Sequence, residues 1–307
     1  MIEKIMKYVK HPENVFIFLQ NRCNFRVLSD KAYLSICYKL SMGEKLNLEN
    51  PVTFTEKLQW LKIYDRKPEY TRMVDKYEAK TFIAEKIGEK YIIPTLGVWD
   101  HFDDIDFDNL PEQFVLKCTH DSGGLVIVKD KAKMDKTAAR RKIEKSLKKN
   151  YFYSAREWPY KDVQPRIIAE PYLEESGGCE PDCPEKNLLK DYKFFCFNGQ
   201  PKVMFIAQEL SEKPENDYFD MEFTHLPLHM KDEVNAPVVP SKPDQFEKMK
   251  EIAEILSQGI PHVRVDFYYI EDQLYVGELT FYHCSGMAPI KPEEWNYRLG
   301  SWIQLPQ

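Results

Sequence analysis

No apolar run in this 307-residue chain approaches the length needed to cross a bilayer, which speaks against a helical membrane protein. Its first residues, MIEKIMKYVKHPENVF, lack the apolar stretch of a secretory signal peptide. A basic block is missing too. The 43 basic and 49 acidic residues are interspersed, for a net charge of −6, which argues against a nucleic-acid surface that tracks phosphates. Nothing is repeated or of low complexity. The seven cysteines are an odd, scattered set without framework spacing, so a reducing cytoplasm is expected rather than a disulfide scaffold. Cys179 and Cys183 look like half of a zinc site, but no second Cys/His pair stands at finger-like spacing. Two free thiols in a loop are the expectation. The Lys-rich opening could lie on a membrane surface as an amphipathic helix; a packed or frayed terminus is simpler.

What is present reads as two kinds of structure in succession. Residues 1–90 are mostly helical in pattern. Asp30 can cap a helix carrying Leu34, Cys37, Tyr38 and Met42 that stops near Gly43. Thr53 or Thr55 can start a second, with Phe54, Leu58, Leu61 and Ile63 on its apolar face, and Asp75 opens a third that Gly88 stops. A short strand, Tyr91–Pro94, is expected next, then strands 114–118 and 125–129 around the turn Thr119–Gly124. A basic helix over 134–150 and a loop over 151–164 precede an apolar strand, 167–173, broken at Pro171. Residues 191–197 and 201–208 flank Asn198-Gly199, a strong hairpin signal. A polar covering loop is expected over 209–240 and a helix over 246–258. The fold class is α+β: a helical region 1–90, a first lobe 91–173 and a second lobe 174–307.

The densest chemistry lies in Arg264-Val-Asp266-Phe-Tyr-Tyr-Ile-Glu-Asp-Gln-Leu-Tyr-Val-Gly-Glu278-Leu-Thr280. Val263, Val265 and Phe267 alternate with Arg264, Asp266 and Tyr268, the period of a half-buried strand, and Glu271-Asp-Gln turns it back. Asp266 and Glu278 can then face one side, two carboxylates with a cation beside them, which suits Mg²⁺ on a polyphosphate. Lys76 and Lys117 are mobile point charges for phosphates. The small residues Ser122, Gly123 and Gly124 let backbone N–H groups approach phosphate oxygens. The strand broken by Pro171 leaves backbone groups free to read an adenine edge.

Together these stations resemble the ATP-grasp superfamily, and within it the TupA-like branch found among cell-surface polysaccharide genes. The resemblance is carried by Thr53-x-x-Glu-Lys-Leu-Gln-Trp-Leu-Lys62, Asp75-Lys76, Leu110-Pro-x-x-Phe-Val-Leu-Lys117, His120-x-Ser-Gly123, Asp191-Tyr-Lys-Phe-x-Cys-Phe-Asn-Gly199 and Val263-Arg-Val-Asp266 with Gly277-Glu-Leu-Thr-Phe281. It runs in order from about residue 40 to the end. It implies two α+β lobes that sandwich ATP. Lys76 and Lys117 would hold its phosphates under a flap formed by His120, Ser122, Gly123 and Gly124. The backbone of Glu170 and Leu173 would meet adenine, with Tyr172 packing on the ring. Asp191 matches the acidic ribose ligand, with Glu174 as a competitor. Asp266 and Glu278 match the metal-binding carboxylates; where an asparagine usually completes the set, this chain has Thr280. Arg264 would steady charge on an acyl phosphate, and Lys193, on the same strand face as Asp191, would reach a γ-phosphate or a substrate carboxylate.

The activity so implied is ATP- and Mg²⁺-dependent joining of a carboxylate to an amine, in a cytoplasmic enzyme of surface-polymer synthesis. The partners would be a small-molecule or saccharide carboxylate, such as a uronic acid, and an amine acceptor. Phosphoryl transfer without ligation and a metal-dependent glycosyltransferase are the alternative readings; a scaffold without catalysis is a fourth. His283 and Cys284 invite a nucleophile reading, but neighbours in sequence need not meet in space, and a substrate-loop role is as well supported. Residues 151–164, 209–240 and 281–298 are irregular and rich in aromatic or charged side chains, and are expected to line the acceptor pocket.

Overall fold

A computed structural model of the chain describes residues 28–174, 189–208 and 214–306. The opening segment and Cys179 and Cys183 lie outside these, and with them the membrane-surface and free-thiol expectations. Among the described residues no helix is long and apolar enough to cross a membrane.

Helix α1 (Asp30–Met42) is capped by Ser29 rather than Asp30: the Ser29 hydroxyl accepts from the Ala32 N–H. Asp30 is occupied elsewhere, paired with Arg66 at 2.6 Å. The helix ends on Gly43, whose φ of 78° suits a residue without Cβ. In α2 (Phe54–Tyr64), Thr53 closes a capping box with Glu56, which settles the start in favour of Thr53. The helix expected from Asp75 is interrupted. A six-residue α3 (Glu69–Val74) precedes it, Asp75 is extended, and α4 (Glu78–Ile87) begins only after Asp75 Oδ1 has accepted from the N–H groups of Tyr77 and Glu78. Tyr91–Pro94 is no strand: a short 3₁₀ turn ends at Tyr91, and Ile92 makes one isolated parallel bridge to Val276.

Two antiparallel sheets and a two-stranded ladder carry the strands of the described residues. The smaller has β1 (Gly97–Trp99), β2 (Phe114–Cys118), β3 (Leu125–Val128) and β4 (Ile167–Pro171) in the order β1-β4-β2-β3. Helix α5 (Lys136–Leu147) lays Ala139 and Ile143 on Phe114, Leu116, Ile167 and Ala169 to form its core. Residues 151–164 hold a one-turn helix, α6 (Phe152–Ala155), and a 3₁₀ turn over Trp158–Tyr160.

The larger sheet contains β5 (Asp191–Phe197), β6 (Gln200–Gln208), β7 (Glu215–Asp220), β8 (His225–Leu226), β10 (His262–Ile270) and β11 (Gln273–Thr280), ordered β11-β10-β5-β6-β7-β8. The covering loop expected over 209–240 is therefore corrected, since it supplies β7, β8 and β9 (His229–Met230), the last paired with β12 (Ile290–Lys291). Helix α7 (Phe246–Ser257) buries Met249, Ile252, Ala253 and Leu256 against the face that carries Phe194, Val263 and Val265. Fully burying a methionine, isoleucine or leucine in this way is worth about 1.5–3 kcal/mol. On the other face, Phe195 meets Phe54 of α2, so α2, α3 and α4 share one core with the larger sheet. Helix α8 (Glu294–Trp302) crosses the start of α2 closely: a Cβ on Gly300 would stand 2.3 Å from the Val52 carbonyl oxygen.

Candidate active site

Strand register builds one wall. Lys193, Asp266 and Glu278 lie side by side across β5, β10 and β11, and Phe195, Arg264 and Thr280 form the next row. A bulge after Asp266 leaves Gly277 unpaired, and a Cβ there would stand 2.7 Å from the Tyr268 ring. Asp266, 1% exposed, is held on all sides: Arg264 donates to both its oxygens at 2.6 Å, and Lys193 donates to Oδ2 at 2.8 Å. Burial alone would raise its pKa; the two cations outweigh burial and hold the carboxyl below its usual range. Lys193 also reaches Asp191 Oδ2 at 2.7 Å, while Asp191 Oδ1 is buried with no partner among the described residues. Desolvation, reinforced by Asp266, pushes the Asp191 carboxyl up despite Lys193. Arg264 further donates to Thr280 Oγ1 at 3.1 Å, and that hydroxyl donates to Glu278 Oε1 at 3.2 Å. The Glu278 side chain is 43% exposed.

The smaller sheet supplies the facing wall. Lys117 Nζ meets Glu170 Oε2 at 2.5 Å and Lys80 meets Oε1 at 2.6 Å. Burial opposes ionisation of Glu170, but these lysines prevail and hold its pKa below the ordinary value. Lys76 sits in the break between α3 and α4. Its backbone N–H donates to Thr119 O, and its Nζ to Asp121 O at 2.5 Å, which ties it to the root of the Ser122–Gly124 turn. Asp121 anchors that turn by accepting from Gly124 N–H and from the Ser146 hydroxyl of α5.

Between the walls is a cavity of about 200 Å³ lined by both sets. Of the expected residues, Lys76, Lys117, Ser122, Gly123, Gly124, Glu170, Asp191, Lys193 and Glu278 border it. Arg264, Asp266 and Thr280 stand in contact with Lys193 and Glu278. His120 is placed differently: its ring is buried, and Nε2–H points to the carbonyls of Ser146 and Lys149 near the end of α5. Tyr172 and Leu173 do not border this cavity, and the Tyr172 ring takes Lys129 at 5.2 Å. Lys80, Asp121 and Tyr268 escaped the sequence reading. Tyr268 was visible in principle, two residues beyond Asp266 on one strand face; the roles of the other two depend on partners remote in sequence.

His283 and Cys284 do meet, Sγ to Nε2 at 3.5 Å, but not as a nucleophilic pair. His283 Nδ1 accepts from Arg264, and burial with that guanidinium keeps the ring neutral. Burial pushes the Cys284 thiol up.

Paired carboxylates and a hydroxyl are hard oxygen donors of the kind Mg²⁺ prefers. Among the described residues no group of three or more His, Cys, Asp or Glu could hold a metal. A cation at Asp266 and Glu278 would therefore take further ligands from a nucleotide, the usual habit of Mg²⁺ beside phosphates. The donor set fits.

None of the curated proteins matches the sequence. Among solved structures, the chain is similar to D-alanine–D-alanine ligase from Bacillus anthracis complexed with ATP, at 15% identity and a TM-score of 0.40, covering 68% of this chain and 54% of that one. It is similar to the ATP-grasp ligase PsnB complexed with a minimal precursor, at 10% identity and a TM-score of 0.37, covering 74% and 58%. N5-carboxyaminoimidazole ribonucleotide synthetase in its ADP complex gives 12% identity and a TM-score of 0.41, covering 83% and 58%. The chain thus spans little more than half the length of these structures. The family model for TupA-like ATP-grasp proteins matches residues 56–304, most of the chain. With that span and an α+β architecture of two facing sheets, the chain belongs to the TupA-like ATP-grasp family.

Proposed function

We propose that this protein is an ATP-dependent ligase that joins a carboxylate to an amine through an acyl phosphate. The observation that carries the reading is the single cavity bordered by Lys76, Lys117 and the Ser122–Gly124 turn on one side and by Asp191, Lys193 and Glu278 on the other.

In this reading Lys76 and Lys117 take the phosphates, and the Ser122–Gly124 turn covers them with backbone N–H groups. His120 acts indirectly, by fixing the turn to α5. The backbone at Glu170 and Leu173, beside Tyr172, receives adenine. The unpartnered Oδ1 of Asp191 is available to a ribose hydroxyl. Asp266, Glu278 and Thr280 would hold Mg²⁺, which when bound would offset negative charge on the phosphates.

A carboxylate is a poor electrophile because its leaving group would be oxide. Its oxygen bonds the γ-phosphorus as the bond to ADP breaks, with Lys193 positioned to neutralise charge on the incoming group. The amine nitrogen then bonds the acyl carbon, the carbon–oxygen bond to phosphate breaks, and the amine gives up a proton. Arg264, fixed by Asp266 and His283, steadies the negative oxygen formed in that addition. The substrate class, a uronic-acid or related carboxylate of a surface polysaccharide, rests on the family's association alone.

The test is calorimetric binding of ATP, AMP-PNP and UDP-sugars, with and without Mg²⁺, to wild type and Lys117→Ala. Mg²⁺-dependent adenine-nucleotide binding, weakened about tenfold or more by the substitution, is expected, since losing a hydrogen bond to a charged group costs about 1.5–3 kcal/mol. Binding of UDP-sugars alone would replace the reading with glycosyl transfer. ADP release with hydroxylamine present should then yield hydroxamates, whereas a stable phosphorylated product would indicate a kinase.

A further inference from the structure

Three stretches, at Tyr151–Ala155, Lys231–Asp232 and Cys284–Lys291, meet beside α1 around a second cavity of about 560 Å³. That volume is ordinary for a small-molecule pocket. Leu40, Met287, Ala288 and Pro289 give it an apolar side. Lys231 and Lys291, both exposed, stand at its rim, and Asp232 is the one carboxylate among its described lining residues. The β9–β12 ladder brings these lysines together: Lys291 pairs with His229, and Lys231 N–H donates to Pro289 O at 2.8 Å.

The cavity touches the nucleotide cleft at two points. Tyr151 lines it and lies beside Ser122, which lines the cleft. Cys284 lines it as well, and one imidazole, that of His283, separates Cys284 from the Arg264 guanidinium.

Its inner wall is a built feature. Cys284 and Ser285 have φ of 48° and 55°, successive left-handed residues that cost about 1–2 kcal/mol each. Helix α2 restrains them. Gln59 donates to Ser285 O at 3.0 Å and Gly286 O at 2.8 Å, and the fully buried Lys62 donates to Ser285 O at 2.8 Å. Glu157 accepts from the Ser285 hydroxyl at 2.6 Å. The carbonyl oxygens of this turn are thereby engaged by α2, where free they would repel an anion. This gives the Thr53–Lys62 segment a task that the nucleotide cleft does not explain.

We propose that this cavity is the pocket for the acidic substrate, a carboxylate-bearing small molecule attracted by Lys231 and Lys291 and presented to Arg264 past the Cys284–Ser285 turn. The proposal rests on the ligase reading but is tested without it.

Cys284 serves as the reporter. Iodoacetate and iodoacetamide alkylate the same thiolate, so its raised pKa cancels in the ratio of their rates, and only the attraction of the pocket for a carboxylate remains. Read at Cys284 by peptide mass spectrometry, the iodoacetate-to-iodoacetamide ratio should exceed that of N-acetylcysteine amide by about threefold or more. It should return to that reference in Lys231→Ala/Lys291→Ala. A ratio equal to the reference in wild type, or unaffected by the two substitutions, overturns the proposal. Carboxymethylation of Cys284 should leave Mg²⁺-dependent AMP-PNP affinity within about twofold; its loss would make the cavity part of the nucleotide site and overturn the proposal too. Absence of AMP-PNP binding by the unmodified protein would count against the ligase reading, while the alkylation ratio still decides the anion pocket.

Discussion

Glu170 stands diagonally from Lys117 across β4 and β2, and its carboxylate closes on that lysine at 2.5 Å and on Lys80 at 2.6 Å. In the proposed reading Lys117 takes phosphate, so a nucleotide would have to compete with the Glu170 carboxylate for it. Glu170→Gln should lower stability by about 2 kcal/mol, less than the 3–5 of a fully buried pair because both lysines keep some solvent. With that competitor gone, Mg²⁺ and AMP-PNP should raise Tm more in the variant than in wild type; equal increments would mean that Glu170 and phosphate do not compete. The pH dependence follows from the depressed pKa of Glu170. The stabilisation is full above the ordinary value of 4.5 and is lost as pH falls through the lower folded value. The stability difference between wild type and variant should therefore shrink in acid.

Gly123 has φ of +104°, in the flap that borders the cleft. Nothing lies within 4 Å of a Cβ built there, so Gly123→Ala would act through backbone strain rather than collision. That strain is on the order of 1–2 kcal/mol. If the flap yields to it, AMP-PNP affinity falls about tenfold with little change in Tm, which calorimetry and a melt would show together. A fall in Tm without a change in affinity would separate the flap from nucleotide binding.

The site was legible where chemistry and strand period coincide. Arg264, Asp266 and Glu278 could be placed on one face because Val263, Val265 and Phe267 claim the other, and the register bears this out. Polar strands hid. In β7, Asp217 is fully buried yet satisfied by His225, Asn235 and the Ala236 N–H, partners that no local pattern reveals. Tyr91–Pro94 failed the opposite way, being apolar enough for a strand but left with one bridge. Lys80, Lys62 and Glu157 matter through partners far along the chain, among them Glu170, the Ala155 and Ser285 carbonyls and the Ser285 hydroxyl. A helix of ordinary charge pattern conceals which of its lysines goes inward.

Lys62 has no exposed surface, and burial lowers its pKa from 10.5 to about 8, with Glu157 opposing. The folded state therefore releases this proton before the unfolded chain does, so between pH 8 and 10.5 the unfolded state binds more protons and stability rises with pH. Other groups titrate there, and Lys62→Met provides the reference. The wild-type minus variant difference in unfolding free energy should climb across that window, by at most about 1.4 kcal/mol per pH unit. A flat difference would show that Lys62 keeps its proton throughout.

Thr280 sits between Arg264 and Glu278, accepting from one at 3.1 Å and donating to the other at 3.2 Å. Its hydroxyl stands where the ATP-grasp resemblance leads one to expect asparagine. An amide carbonyl is a better ligand for Mg²⁺ than a neutral hydroxyl, whose proton is here committed to the carboxylate that would share the ion. Thr280→Asn should thus lower the Mg²⁺ concentration for half-maximal AMP-PNP binding several-fold, with the fold intact by circular dichroism. The amide can still accept from Arg264 and donate toward Glu278, so little stability should be lost. An unchanged Mg²⁺ requirement would remove position 280 from the metal's ligands. A higher one would mean that the hydroxyl's present bond to Glu278 is what orients that carboxylate, and that the larger side chain disturbs it.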